Sequence, residues 1–294
     1  MTIPINTLCY QCHLNKRLEQ ARQLGTEEAA MAFSRELLQN LAALPEGTDS
    51  TDMGAMIEEL LQKHYGLDPD RLRPEREASN RFVLDRLDSI YSRVDSAKDP
   101  VFAALQFAVL GNYLDFSALQ GEVSFDALDK MLEQALDMEL DMASYGHLCE
   151  DLQKGKRLLY ITDNAGEIVF DRVLAEKLQQ RYPHLEITFC VRGLPVTNDA
   201  IREDAETAGV PFPIIDNGTA IGGTVLHRIG QELRDALDAA DVIIAKGMGN
   251  TESMYGCGYN VYYAFLVKCD RFISYFQKPK MTPMLVRERS VSQA

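Results

Sequence analysis

The stretch Lys156-Arg-Leu-Leu-Tyr-Ile-Thr-Asp-Asn-Ala-Gly-Glu-Ile-Val-Phe170 marks a change of texture along the chain. Arg157–Thr162 is a short apolar run of strand formers, and the polar turn after it leads directly into a helical pattern. Similar runs follow at Glu186-Ile-Thr-Phe-Cys-Val191, Phe212-Pro-Ile-Ile215, Asp241-Val-Ile-Ile-Ala245 and Arg271-Phe-Ile-Ser-Tyr-Phe276. Helical stretches are expected between them, at Ile168–Arg181, Asp199–Ala208, Leu226–Ala239 and Tyr259–Lys268. Strands alternating with helices of this length predict crossover units and a mostly parallel sheet covered on both faces. Thr282-Pro-Met-Leu-Val-Arg287 reads as an added edge strand.

Upstream of this stretch the chain reads as helix after helix, with no strand-like alternation and no internal repeat. Thr26, followed by Glu27 and Glu28, opens a segment whose apolar positions Ala30, Phe33, Leu37, Leu38 and Leu41 share one face. Met53–Tyr65 repeats the pattern through Met56, Ile57, Leu60 and Leu61, and Gly66–Pro74 is a charged connection with two prolines. Ala78–Val94 reads as one amphipathic helix, Pro100 opens the most apolar one, and Ser124 and Met142–Leu152 mark two more. The predicted class is α/β, a three-layer α/β/α sandwich with a mostly parallel sheet. An all-helical domain over residues 1–154 is expected to precede an α/β/α domain over 155–294.

Composition narrows the function. Thirty Lys and Arg stand against 44 Asp and Glu, a formal charge of −14 over 294 residues. Such a surface opposes binding to nucleic acid or an anionic membrane, where affinity comes from neutralising phosphates. The longest apolar stretch, Val101–Leu110, is broken by Gln106 and is far shorter than the roughly 20 residues that span a bilayer. No basic segment followed by an apolar one opens the chain, so a cytoplasmic protein is expected. The six cysteines (Cys9, Cys12, Cys149, Cys190, Cys257 and Cys269) are too sparse for a disulfide scaffold and are expected as thiols.

In open α/β sheets the ligand site lies beyond the carboxyl ends of the strands. The four segments there are Thr162-Asp-Asn-Ala-Gly-Glu167, Arg192-Gly-Leu-Pro-Val-Thr-Asn-Asp199, Asp216-Asn-Gly-Thr219 and Lys246-Gly-Met-Gly-Asn-Thr-Glu252. All are polar and carry glycine. Asp163, Asn164 and Asp199 offer hard oxygen ligands suited to Mg²⁺, Mn²⁺ or a similar ion. Lys246, Arg192 and the N-termini of the following helices supply positive potential for a phosphate. A divalent ion beside a Lys and free backbone N–H groups is a phosphoryl-transfer arrangement. The same Asp and Asn residues would also serve as ordinary helix caps and turn formers, so each loop alone is weak and their convergence carries the reading. No P-loop and no Gly-x-Gly-x-x-Gly after the first strand supports a kinase or dehydrogenase.

Asp163-Asn-Ala-Gly-Glu167, Arg192-Gly-Leu-Pro-Val-Thr-Asn-Asp199 and Lys246-Gly-Met-Gly-Asn250 resemble the signature blocks of the damage-control phosphatase family. That family was earlier catalogued as domain of unknown function 89, and one of its human members was described as an acidic-residue methyltransferase. Gly111-Asn-Tyr-Leu-Asp115 and Leu266-Val-Lys-Cys269 resemble two further blocks, and Cys9-x-x-Cys12 resembles the prokaryotic subgroup. The resemblance spans nearly the whole chain. It implies a phosphatase acting on a small phosphorylated metabolite, with Asp163, Asn164 and Asp199 as ligands of a divalent Mn, Ni, Co or Mg ion. It implies Glu167, Asn250 and Lys268 as substrate contacts with Lys246 close by, and Asn112 and Asp115 closing the pocket from the helical half. In the mechanism expected, Asp163, Lys246 and Lys268 are catalytic and Arg192 joins the substrate contacts. Water attacks directly, because the Asp-x-Asp pair typical of an aspartyl nucleophile is absent.

Two other classes stay open at this point. One is a methyltransferase using S-adenosylmethionine, which would lack its usual glycine-rich loop here. The other is a non-catalytic ligand or redox sensor built on Cys9 and Cys12. That pair has the spacing of half a metal site, with Cys269 as a possible third ligand of a second metal. His64, His147, His184 and His227 occur singly and are expected at the surface or satisfied internally. The acidic run Asp137–Asp141 lacks a calcium-loop pattern and is expected on a solvated helix face. Oligomeric state is not encoded in any recognisable feature.

Overall fold

Five parallel strands and one antiparallel edge strand form a single sheet in the order β3-β2-β1-β4-β5-β6. The computed structural model describes residues 3–115 and 124–288. The strands are β1 (Arg157–Ile161), β2 (Glu186–Val191), β3 (Ile214–Asp216), β4 (Val242–Lys246), β5 (Val261–Leu266) and β6 (Pro283–Arg287). Strand order reverses at β1, with β2 on one side and β4 on the other. A crevice therefore opens at their carboxyl ends, where two neighbouring loops leave in opposite directions.

The two faces are sorted by the period-two alternation of strand side chains. Leu158 and Tyr160 of β1 enter one core and Leu159 and Ile161 the other. The first core is covered by α6 (Pro100–Gly111), α9 (Glu167–Arg181) and α10 (Arg202–Thr207). The second is covered by α11 (Gln231–Ala239), α12 (Gly247–Met254) and α13 (Asp270–Phe276). This is a three-layer sandwich. The first core runs without a break from Val83, Val101 and Phe107 to Phe170 and Phe189, so residues on both sides of position 154 share it.

A third, separate core joins α1 (Thr7–Leu24), α2 (Glu27–Ala42) and α3 (Ser50–Tyr65) through Phe33, Leu37, Ile57 and Leu61. Leu38, expected on the buried face of α2, is 51% exposed. These three helices form a cap over the carboxyl ends of the strands, with α3 against α12 and α1 against α13. No helix among the described residues is long and apolar enough to cross a membrane.

Two expectations are corrected. Tyr259–Lys268, expected as a helix, contains strand β5, and Arg271–Phe276, expected as a strand, lies in helix α13. Val261-Tyr-Tyr-Ala-Phe-Leu266 is buried on both faces and so shows no alternation, while Phe272, Ile273 and Phe276 recur at helical spacing against the second core. Ala78–Val94 is two helices, α4 (Arg73–Leu84) and α5 (Leu87–Asp95). At the break Arg86 turns back, donates to Phe82 O at 2.8 Å and pairs with Asp129. Two expected helices also start later than predicted. Residues 199–201 and 226–230 precede α10 and α11, which leaves Asp199 in a loop.

Candidate active site

Asp163 stands two residues beyond the end of β1, and Asn164 and Glu167 complete the turn into α9. Gly166 allows that turn. Its φ is +77°, and a Cβ there would come within 2.8 Å of Ser79 Cβ, so the position favours glycine on both counts. Asn80 on α4 accepts from Gly166 N at 2.6 Å and donates to Asp204 at 2.8 Å, fixing the turn from outside. The β2–α10 loop is stitched to the same turn. Ala200 N donates to Asp163 O at 2.7 Å and Ala165 N to Asn198 O at 2.9 Å, which brings Asp199 opposite Asp163 and Asn164.

Side-chain hydrogen bonds hold the carboxylates in place. Arg192 donates to Asp199 Oδ2 at 2.7 Å and to Asn250 Oδ1 at 3.1 Å, and its other amino group lies 3.4 Å from Asp163 Oδ1. Asn112, at the carboxyl end of α6, donates to Asp163 Oδ2 and Glu167 Oε2 at 2.9 and 3.0 Å. Its Oδ1 accepts from Leu266 N, and its backbone oxygen accepts from Lys268 Nζ at 2.8 Å. Lys268 also donates to Asp115 Oδ2 at 2.6 Å. Asn164 donates to both Asp163 and Glu167 at 2.8 Å. Asn250 reaches Thr162 O and Lys246 O, tying the α12 start to the end of β1.

These groups floor a cavity of about 220 Å³, roofed by the α1–α3 cap. Asp115, Asp163, Asn164 and Asp199 line it directly. Lys246 does not. It is wholly buried behind the floor, donating to Glu167 Oε1 at 2.7 Å and to Asp171 Oδ1 and Ala108 O at 2.8 Å. Lys268, Glu167, Arg192, Asn112 and Asn250 also stand just behind the lining residues.

The roof holds residues that sequence reasoning missed. Lys16 and Arg17 from α1 and Glu58 from α3 line the cavity, as does Glu252 from α12. No motif marks Lys16; its only signal is that it shares a helical face with Cys12, four residues earlier. His13, also lining, is pushed down to about 4 by burial and by Arg17 and Lys16, so it is neutral at physiological pH. Cys9 is buried, Cys12 opens onto the cavity, and both are free thiols. Among the described residues no three His, Cys, Asp or Glu side chains are grouped to hold a metal, and that includes Cys9, Cys12 and Cys269.

Crowding of the floor carboxyls favours a hard cation. Glu58 pairs with Arg17, Asp115 with Lys268 and Asp199 with Arg192, whereas the only cation paired with Asp163 among the described residues is Arg192, more distant at 3.4 Å. Burial, then repulsion by Asp199 and Glu167, raises the Asp163 carboxyl well above its usual range despite Lys268 and Arg192. Burial also raises Asp199, against the pull of Arg192. A divalent cation relieves both effects, and the donor set of two carboxylates plus the Asn164 amide oxygen is all hard oxygen. The residues fit such an ion in chemical type. As placed, the Asn164 amide turns its nitrogen to Asp163 while its oxygen accepts from Asn198 at 3.0 Å, so Asn164 would supply the third oxygen once its amide rotates.

A family model for the damage-control phosphatase ARMT1-like domain matches residues 5–282. An uncharacterised protein of Methanocaldococcus jannaschii is 29% identical over 96% of this chain and 91% of its own length. A damage-control phosphatase of Pyrococcus horikoshii is 32% identical over 63% of this chain and 64% of its own length. Another, from Archaeoglobus fulgidus, is 28% identical over 85% and 87%. The crystal structure of a DUF89 family protein from Pyrococcus horikoshii superposes with a TM-score of 0.82 at 26% identity, covering 98% of this chain and all of that one. With the family model spanning both the helical half and the sheet, the chain belongs to the damage-control phosphatase ARMT1-like family.

Proposed function

We propose that this chain is a phosphatase that hydrolyses small phosphate monoesters with the help of a divalent metal ion. The observation that carries the reading is the convergence of Asp163, Asn164 and Asp199, with Arg192 and Lys268 behind them, on one 220 Å³ cavity. The volume suits a small phosphorylated metabolite, and the relatives named damage-control phosphatases support the reaction class.

Asp163, Asn164 and Asp199 would hold the ion. When bound, a divalent ion supplies Lewis-acid polarisation of a phosphoryl oxygen and favours ionisation of a nearby water. Every other part belongs to the chain. Arg192 and Asn112 fix the orientation of the Asp199 and Asp163 carboxylates, so no reorganisation is needed as charge develops. Lys246 acts through Glu167, which it holds in place, rather than on the phosphoryl oxygens. Lys268 fixes Asp115 at the cavity wall and adds positive potential beneath the floor. Lys16 and Arg17 face the floor from the roof, where cations neutralise the equatorial oxygens of a transferring phosphoryl group. The cap lies over the floor and narrows the access of bulk water to these charges.

The test is turnover of 4-nitrophenyl phosphate by metal-stripped protein, then with Mg²⁺, Mn²⁺, Co²⁺ or Ni²⁺ restored, beside Asp163→Ala. Activity restored by an ion in the parent and absent from the variant supports the reading. Folded protein that is inactive with every ion on this ester and on a panel of sugar phosphates overturns it.

A further inference from the structure

Glu252 stands apart from the machinery above. It lies on α12, is 8% exposed, and lines the cavity with Asp115, Asp163 and Asp199. Every other buried carboxylate of the site has a cation or an amide on its oxygens, whereas the Glu252 carboxyl has no hydrogen-bond or ion-pair partner among the described residues. Its oxygens meet the cavity and no donor among the described residues, an arrangement that favours the protonated form. Its surroundings act the same way. Burial first, then Asp49 and Asp115, outweigh Arg271 and push it up to about 8. The other titratable groups nearby are the Cys9 and Cys269 thiols, both themselves raised by burial, and neither offers a positive charge.

A neutral carboxylic acid lining the cavity on α12, five residues beyond the Gly247 backbone that abuts Asp163, has a chemical use that the reaction needs. Hydrolysis of an alkyl ester expels an alkoxide, which is a poor leaving group unless a proton reaches it in the transition state. We propose that Glu252 is the general acid that protonates the leaving oxygen, which lets the site cleave esters whose alcohol is a poor leaving group. This rests on the phosphatase reading. As water forms its bond to phosphorus, the ester P–O bond breaks and its electron pair stays with the leaving oxygen. The Glu252 proton passes to that oxygen, releasing a neutral alcohol. The attacking water loses its proton to solvent as inorganic phosphate forms, and the Glu252 carboxylate takes a proton back from solvent before the next turnover.

The experiment compares esters of alcohols with graded acidity. An aryl ester such as 4-nitrophenyl phosphate leaves as a stabilised phenolate and needs little acid assistance, while an alkyl ester such as glycerol phosphate needs it fully. The parent should show kcat with a shallow dependence on leaving-group pKa. Glu252→Gln, nearly isosteric, should lose ~10²-fold or more on alkyl esters and at least tenfold less on the aryl ester, steepening that dependence. The alkaline limb of its kcat–pH profile on alkyl esters should vanish, while Glu252→Asp keeps the limb. Equal losses on both ester classes, no loss on alkyl esters, or a steep dependence in the parent overturns the assignment without touching the phosphatase reading. A parent inactive on both classes with every metal overturns that reading and this assignment together. Melting curves of each variant separate misfolding from lost chemistry, and the dependence measured on the parent needs no variant at all.

Discussion

The backbone of Gly247 presses against the carboxylate of Asp163 so closely that a Cβ at position 247 would stand 2.0 Å from Oδ2. The residue also has φ +80°, in the left-handed region. The start of α12 thus acts as a backstop for Asp163, and only glycine lets it approach. Gly247→Ala must either displace the carboxylate or shift the β4–α12 turn. A melting temperature lowered by several degrees with activity down ~10²-fold is expected, since an ångström of misplacement at a reacting centre costs about that much. An active, stable alanine variant would show that Asp163 has freedom the geometry denies it.

Lys246 neutralises Glu167 and Asp171 from inside the protein, where all three are 0% exposed. Asp171, raised to about 7 chiefly by burial, depends on that cation to remain ionised at all. Lys246→Met leaves two buried carboxylates without a cation, held only by the neutral donors Asn112, Asn164 and Tyr160, so denaturant unfolding at pH 7 should show a loss of ~3–5 kcal/mol. The loss should shrink towards acid pH as the stranded carboxyls take up protons.

Asp163 is the member of the floor most burdened by its neighbours. Asp163→Asn removes a charge that burial and Asp199 both oppose, while its carbonyl still accepts from Asn112 and Asn164. Metal-free Asp163→Asn should therefore melt no lower than metal-free parent. Added Mn²⁺ should raise the melting temperature of the parent through binding to the native state, and should leave the variant unmoved. A variant stabilised by Mn²⁺ as strongly as the parent would move the ion away from Asp163.

The raised carboxyl of Glu252 makes stability depend on pH. Below its ordinary value of 4.5 the group is protonated in both folded and unfolded chains and costs nothing. Between there and about 8 the unfolded chain releases the proton while the folded chain keeps it, so stability falls as pH rises. Glu252→Gln carries no such proton. Its melting temperature relative to the parent should climb from pH 5 to pH 8 and level off above, and a flat difference would show an ordinary carboxylate.

Much of the sheet and of the floor was legible because strand ends in such folds gather their polar loops at one edge. Asp163, Asn164 and Asp199 stand in turns whose polar, glycine-bearing sequence sets them off from the apolar runs before them. Strand β5 and helix α13 were exchanged because Val261–Leu266 is buried on both faces, which removes the alternation that would mark it as a strand. Lys246 reads as a free cation in sequence, and only the fold shows that Ala108, Glu167 and Asp171 already occupy it. The roof was illegible for a different reason. Lys16 and Arg17 are ordinary charged residues of an N-terminal helix until packing turns that face towards the floor. Glu252 was quoted in its loop, yet nothing in the pattern Asn250-Thr-Glu252 announces that its neighbours would leave the carboxyl unpaired.

Floor and roof rest on different hydrophobic cores, the floor between the two that flank the sheet and the roof on Phe33, Leu37, Ile57 and Leu61 of the first three helices. They meet along α3 with α12 and α1 with α13, so the interior of the cap can vary with little effect on the floor. Substitutions on the cavity side of α1 and α3 would reshape the roof and leave the supports of Asp163 and Asp199 standing. Such a division would let the outline of the cavity be redrawn by editing about sixty N-terminal residues.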